Sequence, residues 1–185
     1  MKIVQSPHAV LSQKAKPVKI IDAEIKQLLK AMAVALASAK DPEGVGLAAP
    51  QIGKSLQIFL IKESPEAPLM TFINPKIERF FANPKKTNRK TVKKKERGVQ
   101  LEGCLSIKDI WGVVKRNYGV VITYQDETGT KHEKEFVGFM ATIVQHEYDH
   151  LQGILFPKRV LEQNNPLYKA VKNKAGETEF EEVKL

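Results

Sequence analysis

The 185-residue chain is 42% hydrophobic and 28% charged, ordinary proportions for a folded domain able to bury a core, and its formal net charge is +9. A single cysteine excludes an intrachain disulfide, and no run approaches the roughly 18 consecutive apolar residues of a membrane-spanning helix. The first residues carry neither a signal-peptide core nor an arginine-rich amphipathic leader, so the expectation is one cytoplasmic domain, 1–185, with no membrane or DNA partner.

Along the chain, Asp22 to Ala39 places Ile25, Leu28, Leu29, Met32, Val34 and Leu36 at helical spacing behind Asp22 as a cap, which predicts the first helix. A glycine-rich segment, Gly44 to Gln51, follows. Strand-like runs come next at Gln57 to Ile61 and Met70 to Asn74, then at Gly119 to Tyr124 and Glu133 to Val137, the last two joined by a polar turn around Asp126 to Gly129. Phe139 to Val144 is an apolar run leading into a second helix, expected to start buried. Beyond Pro157 the chain turns polar, and Thr178 to Leu185 alternates as a short terminal strand would. A helix, then short strands, then a central helix argues an α+β fold of mostly antiparallel sheets around the second helix.

Residues 145 to 150 read Gln-His-Glu-Tyr-Asp-His. With about 3.6 residues per turn, His146 and His150 share a helix face, so two imidazoles can converge on one cation while Glu147 reaches the water as a base and not as a ligand. Histidines on a buried helix need partners, because burying ionisable groups is costly unless they are paired or metal-bound. A catalytic site of this kind usually has a third protein ligand, and Cys104, in Glu-Gly-Cys-Leu-Ser at 102 to 106, is the candidate. From ligand types alone, one thiolate and two imidazoles suit zinc. Gly44 to Gln51 lacks the spacing of a nucleotide-binding loop. Either it is a tight turn packed in the core, or its small residues let backbone approach a substrate while the Gln51 amide faces a developing oxyanion.

Taken together, GVGLAAPQ at 44 to 51, EGCLS at 102 to 106 and QHEYDH at 145 to 150 resemble the three motifs of peptide deformylase, in the same order and with fitting spacing. The opening Ile3 to Pro7 and Lys16-Pro17-Val18 are also similar to that family's N-terminal segment. The resemblance implies that Cys104, His146 and His150 bind one divalent metal, Fe2+ in many bacterial members, with Zn2+, Ni2+ or cobalt able to substitute. It implies removal of the formyl group from the N-terminal formyl-methionine of nascent peptides, with Glu147 moving the proton and with Gln51 and the backbone N–H of Leu105 meeting the oxyanion. The substrate would add as a strand between Gly46 and the segment after Val99. Val45, Leu105, Phe139, Thr142 and Ile143 are assigned to the methionine pocket and Glu102 to its rim, with ordinary core packing as the alternative. Arg116 would support the metal helix through Asp149. Trp111 either borders the substrate groove or is half-buried packing, and His8 and His132 read as surface residues.

The basic charge is concentrated. Lys85 to Arg97 holds eight Lys or Arg and one Glu, a net of +7 against +9 for the whole chain, within what resembles an insertion at about 80–98. Such a run is either a solvated, self-repelling loop or a contact to ribosomal RNA, and the second would be strongly salt-dependent. Leu101 and Ser106 to Asp109 also depart from common family choices. Two other functions fit parts of the sequence. One is a metalloprotease with its third ligand downstream, for which Glu162 is an available acid. The other is a non-catalytic RNA-binding relative.

Overall fold

The fold, given by a computed structural model, is described for residues 2–39, 44–64, 66–82, 101–173 and 176–184. The basic stretch lies outside these residues from position 83 onward.

Helix α1 (Ala23–Ser38) begins where the Asp22 carboxylate accepts a hydrogen bond from Ile25 N at 3.0 Å, satisfying one of the free amides of its first turn. It buries Leu28, Leu29, Met32, Ala35 and Leu36. Val34, expected on the same stripe, is 65% exposed, because it falls two positions from Met32 and Leu36 and so points to the opposite side.

Nine strands among the described residues form two antiparallel sheets. Strands β1 (Gly46–Ala48), β2 (Ile58–Ile61), β3 (Met70–Phe81), β6 (Gly119–Gln125) and β7 (Lys131–Val137) pair in the order β1-β2-β3-β6-β7. Strands β4 (Glu102–Cys104), β5 (Ile107–Gly112), β8 (Leu167–Lys172) and β9 (Thr178–Glu182) pair in the order β4-β5-β8-β9. Strand β3 runs well past the expected end at Asn74. Pro75 cannot donate to the ladder, but a register shift between Ile73 and Lys76 absorbs it. At that irregularity Asn74 adopts φ 49° and its side chain bonds to both Val18 N and Val18 O at 2.8 Å.

Helix α2 (Gly138–Leu151) packs on the first sheet through Ala141, Val144 and Leu151 against Phe59, Phe72 and Ile122. Its start is not buried as expected. Gly138 takes φ +60° at the turn out of β7, and Phe139 is 45% exposed; burial begins at Ala141. A second cluster joins α1 to Leu47, Ile58, Leu60 and Ile73 on the same sheet. After α2, a short helix α3 (Phe156–Glu162) and β8 occupy the segment expected only to be polar, and with Cys104 they form a third, smaller cluster of Phe156, Val160 and Leu167. No helix among the described residues is long and apolar enough to cross a membrane.

Candidate metal centre and active site

β4, an edge strand of one sheet, faces the α2 helix that covers the other, with Glu102 against His146 and Cys104 against His150. Cys104 ends β4 and is 4% exposed. The strand can lie under Trp111 because residue 103 is glycine: a Cβ there would stand 2.8 Å from the indole ring. On α2, His146 and His150 sit one turn apart with ring centroids 5.0 Å from each other. One ligating atom from each of Cys104, His146 and His150 lies within 4.8 Å of the other two, and all three residues are buried.

Cys104 and His146 are held from behind, whereas His150 Nδ1 is buried without a hydrogen-bond partner among the described residues. The Cys104 sulfur stands 3.3 Å from His150 Nε2 and accepts from the backbone N–H of Ser106 at 3.4 Å and from Gln51 Nε2 at 3.6 Å. The Gln51 amide is oriented by its own oxygen, which accepts from Ala48 N at 2.7 Å within the 3-10 turn Ala49–Ile52 that follows β1. His146 uses Nδ1 on Glu102 Oε1 at 2.6 Å, which leaves Nε2 for the cluster. Glu102 is held in turn by Arg116, whose Nε and Nη2 donate to its two oxygens at 3.1 and 2.6 Å. The third guanidinium donor, Arg116 Nη1, reaches Asp149 Oδ2 at 2.6 Å. Glu102 therefore lines the cavity with both of its oxygens already committed.

The charges follow from this wiring. Burial opposes protonation of His146, but hydrogen bonds and negative charge from Cys104 and Glu102 outweigh it and hold its pKa well above the usual histidine value. His150 is held well below that value by burial and by the neighbouring His146. Glu102 would be raised by burial, yet the bonds and charges of His146 and Arg116 bring it down to about 2. Glu147 has no such support. Burial lifts its carboxyl to about 7, and its Oε2 is buried without a hydrogen-bond partner among the described residues. Its other oxygen lies against Gly46, where even a Cβ would overlap it.

These groups fit a divalent transition metal. One sulfur and two imidazoles converge in a buried cluster, one imidazole is oriented by a carboxylate, and an unpaired carboxyl near neutral pKa stands alongside. The cluster opens into a cavity of about 380 Å3. Val45, Gly46, Leu105, Phe139, Thr142 and Ile143 all line it, as do Gln51, Trp111 and Glu147. Among the described residues β1 pairs only with β2 and β4 only with β5, so a strand edge without a partner there borders each side. His8 and His132 lie away from it; His132 pairs with Asp126 at 2.7 Å. Glu162, considered as a downstream ligand, is instead a surface partner of Arg159 and Lys158. Sequence reasoning missed Arg159, which binds Asp149 through two bonds of 3.1 and 2.7 Å. No motif spacing marks it.

The family model described as polypeptide deformylase matches residues 1–166. Peptide deformylase of Rhizobium meliloti is 39% identical over 153 residues, covering 81% of this chain and 79% of that protein. That of Synechocystis sp. is 35% identical over 161 residues, covering 85% and 76%. Among solved structures, a peptide deformylase from Synechococcus elongatus in complex with actinonin superposes with a TM-score of 0.74 at 36% identity, covering 89% of this chain and 84% of that one. The Thermotoga maritima peptide deformylase gives 0.71 at 31% identity, covering 86% and 96%. On the match over residues 1–166 and on these relatives, the chain belongs to the polypeptide deformylase family.

Proposed function

We propose that this chain is a metal-dependent hydrolase that removes the formyl group from the N-terminal formyl-methionine of nascent polypeptides, releasing formate and a free amine. The observation that carries the reading is the meeting of Cys104, His146 and His150 beside Glu147, a buried acid with an unpaired oxygen, in a cavity bordered by two strand edges. Cys104, His146 and His150 would hold one divalent ion, Fe2+ in the cell and Zn2+ or Ni2+ where a purified sample has exchanged it. Bound there, such an ion supplies Lewis-acid activation of water at neutral pH.

The remaining work belongs to the chain's own side chains. Glu147, with a carboxyl at about 7, is matched to take a proton from the attacking water and to return it to the departing nitrogen. The Gln51 amide, fixed in advance by Ala48, and the N–H of Leu105 are the donors for the oxyanion. The formyl-methionyl chain adds as an extended strand between the edges of β1 and β4, which makes binding tolerant of its sequence. Its methionine side chain enters the apolar part of the cavity at Val45, Phe139, Thr142 and Ile143. Residues 1–185 act as one catalytic domain, with 80–98 as an insertion, and a substrate still leaving the ribosome puts that work in the cytoplasm.

Formate release from a formyl-methionyl peptide, set against internal cleavage of an unmodified peptide, tests the reading. Formate alone supports it, and internal cleavage without formate overturns it in favour of a metalloprotease. For the basic stretch, replacing its eight Lys and Arg by Ser and Gln and measuring ribosome binding at several salt concentrations separates the two roles. A lost salt dependence marks an RNA contact, and an unchanged affinity and slope mark a solvated loop.

A further inference from the structure

We propose that Arg159, on α3, is a positioning residue for the metal centre, acting through Asp149, Arg116 and Glu102 on the ring of His146. The proposal rests on the reading of Cys104, His146 and His150 as metal ligands.

Five side chains form one continuous line. Arg159 donates from Nε and Nη2 to both oxygens of Asp149, at 3.1 and 2.7 Å. Arg116 Nη1 donates to Asp149 Oδ2 at 2.6 Å, and its remaining donors close on Glu102. Glu102 holds His146 Nδ1 at 2.6 Å. The middle of the line is dry: the side chains of Glu102, Arg116 and Asp149 are 10%, 8% and 9% exposed, whereas Arg159 is 33% exposed at the outer end.

Donor supply explains why the line needs its outer member. Arg116 spends two donors on Glu102 and one on Asp149 Oδ2, so without Arg159 the Asp149 carboxylate, 9% exposed, would keep a single charged donor. A buried carboxylate short of partners is expensive. Arg159 supplies the second cation. It also occupies both oxygens of Asp149 in a bidentate pair, the strong geometry for Arg and carboxylate. Relieved of sole responsibility for Asp149, Arg116 can keep two donors on Glu102, and Glu102 can keep the His146 ring turned towards Cys104. Glu162, which accepts from Arg159 Nη1 at 3.2 Å, sits outside this line at the surface.

The test compares wild type with Arg159→Met, Arg159→Lys, Glu162→Gln and Leu29→Ala, the last a core change on α1 away from the line. Cobalt(II) is the probe, added anaerobically against a competing chelator and followed by its absorption. Arg159→Met is expected to bind cobalt about tenfold more weakly, the lower end of what losing an outer partner of a ligating histidine does. Arg159→Lys, which keeps the charge and loses the fork, should fall between it and wild type. Glu162→Gln and Leu29→Ala should bind as wild type does, even where Leu29→Ala lowers the melting temperature more. Unchanged cobalt affinity in Arg159→Met would overturn the proposal, as would an Arg159→Lys variant no better than Arg159→Met. An equal weakening in Leu29→Ala would reduce the effect to general stability and overturn it too. Because cobalt binding is read without substrate, a wild type that released no formate would sink the deformylase reading and leave this comparison intact.

Discussion

Glu147 and Gly46 touch across the cleft so closely that a Cβ at position 46 would overlap the Glu147 carboxylate. Strand β1 thereby places its backbone against one oxygen of the acid, and the other oxygen is buried without a hydrogen-bond partner among the described residues. In Gly46→Ala the methyl must push the carboxylate away. A displacement of about 1 Å at a reacting group typically costs on the order of 100-fold in rate. The expected result is a fall in kcat of that size with cobalt affinity intact, measured as formate release and chelator competition; wild-type turnover would contradict it.

Glu147 is also expected to weaken the fold it serves. Its carboxyl titrates at about 7 in the folded chain against an ordinary 4.5, so the unfolded chain gives up the proton first. Stability of the metal-free protein must therefore fall as pH rises from 4.5 through 7 and stay lowered above, by at most about 3 kcal/mol. Glu147→Gln removes that penalty along with the base. Thermal unfolding between pH 4 and 9 should show the variant more stable than wild type above neutrality and level with it at the acid end, while formate release is lost.

Glu102 gives the opposite sign. Held at about 2, below its ordinary 4.5, it stabilises the folded state fully above pH 4.5, and that contribution is lost as pH falls through 2. Glu102→Gln should be less stable than wild type at pH 7 by about 3 kcal/mol, since it takes from Arg116 one of its two buried carboxylate partners. The two should converge in acid. Urea unfolding at pH 7 and pH 2.5 reads both arms, and a constant gap between them would refute the assignment of the charge to Glu102.

Gln51 separates binding from chemistry. Its amide is already aimed by Ala48, so Gln51→Ala removes a donor that was fixed in advance. Loss of such a donor costs about 100- to 1000-fold in turnover. The KM for a formyl-methionyl peptide should change far less than kcat, and steady-state kinetics on one peptide over a range of concentrations decide it.

Asp22→Ala offers a change confined to folding. Loss of the bond to Ile25 N should cost about 1 kcal/mol, read by urea unfolding, with kcat for formate release unaltered.

Much of this architecture was legible where a local rule sufficed. The apolar spacing behind Asp22 marked α1, and strand-like runs on either side of the polar turn at Asp126 to Gly129 marked β6 and β7, because each signal lies in the element's own residues. The spacing of His146 and His150 placed both on one helix face for the same reason. What local rules cannot carry is the approach of Cys104, 46 residues from His150, which was anticipated from the need for a third ligand and from the three-motif resemblance. The full length of β3 was hidden because Pro75 reads as a strand end until the shift around Asn74 is seen. Helix α3 is only 7 residues long, too short to show a period, so Arg159 appeared as one more surface charge. Val34 shows the reverse error, an apolar residue counted into a stripe from which its angle excludes it.

The thiol comes from the rim of one sheet and both imidazoles come from the helix laid over the other. Sliding β4 by a single residue along β5 would carry the sulfur about 3.3 Å, beyond the reach of any ion still gripped by the helix. An ion seated there acts as a gauge of how the two layers are mated, so a copy that folds with its halves misaligned betrays itself by failing to retain metal.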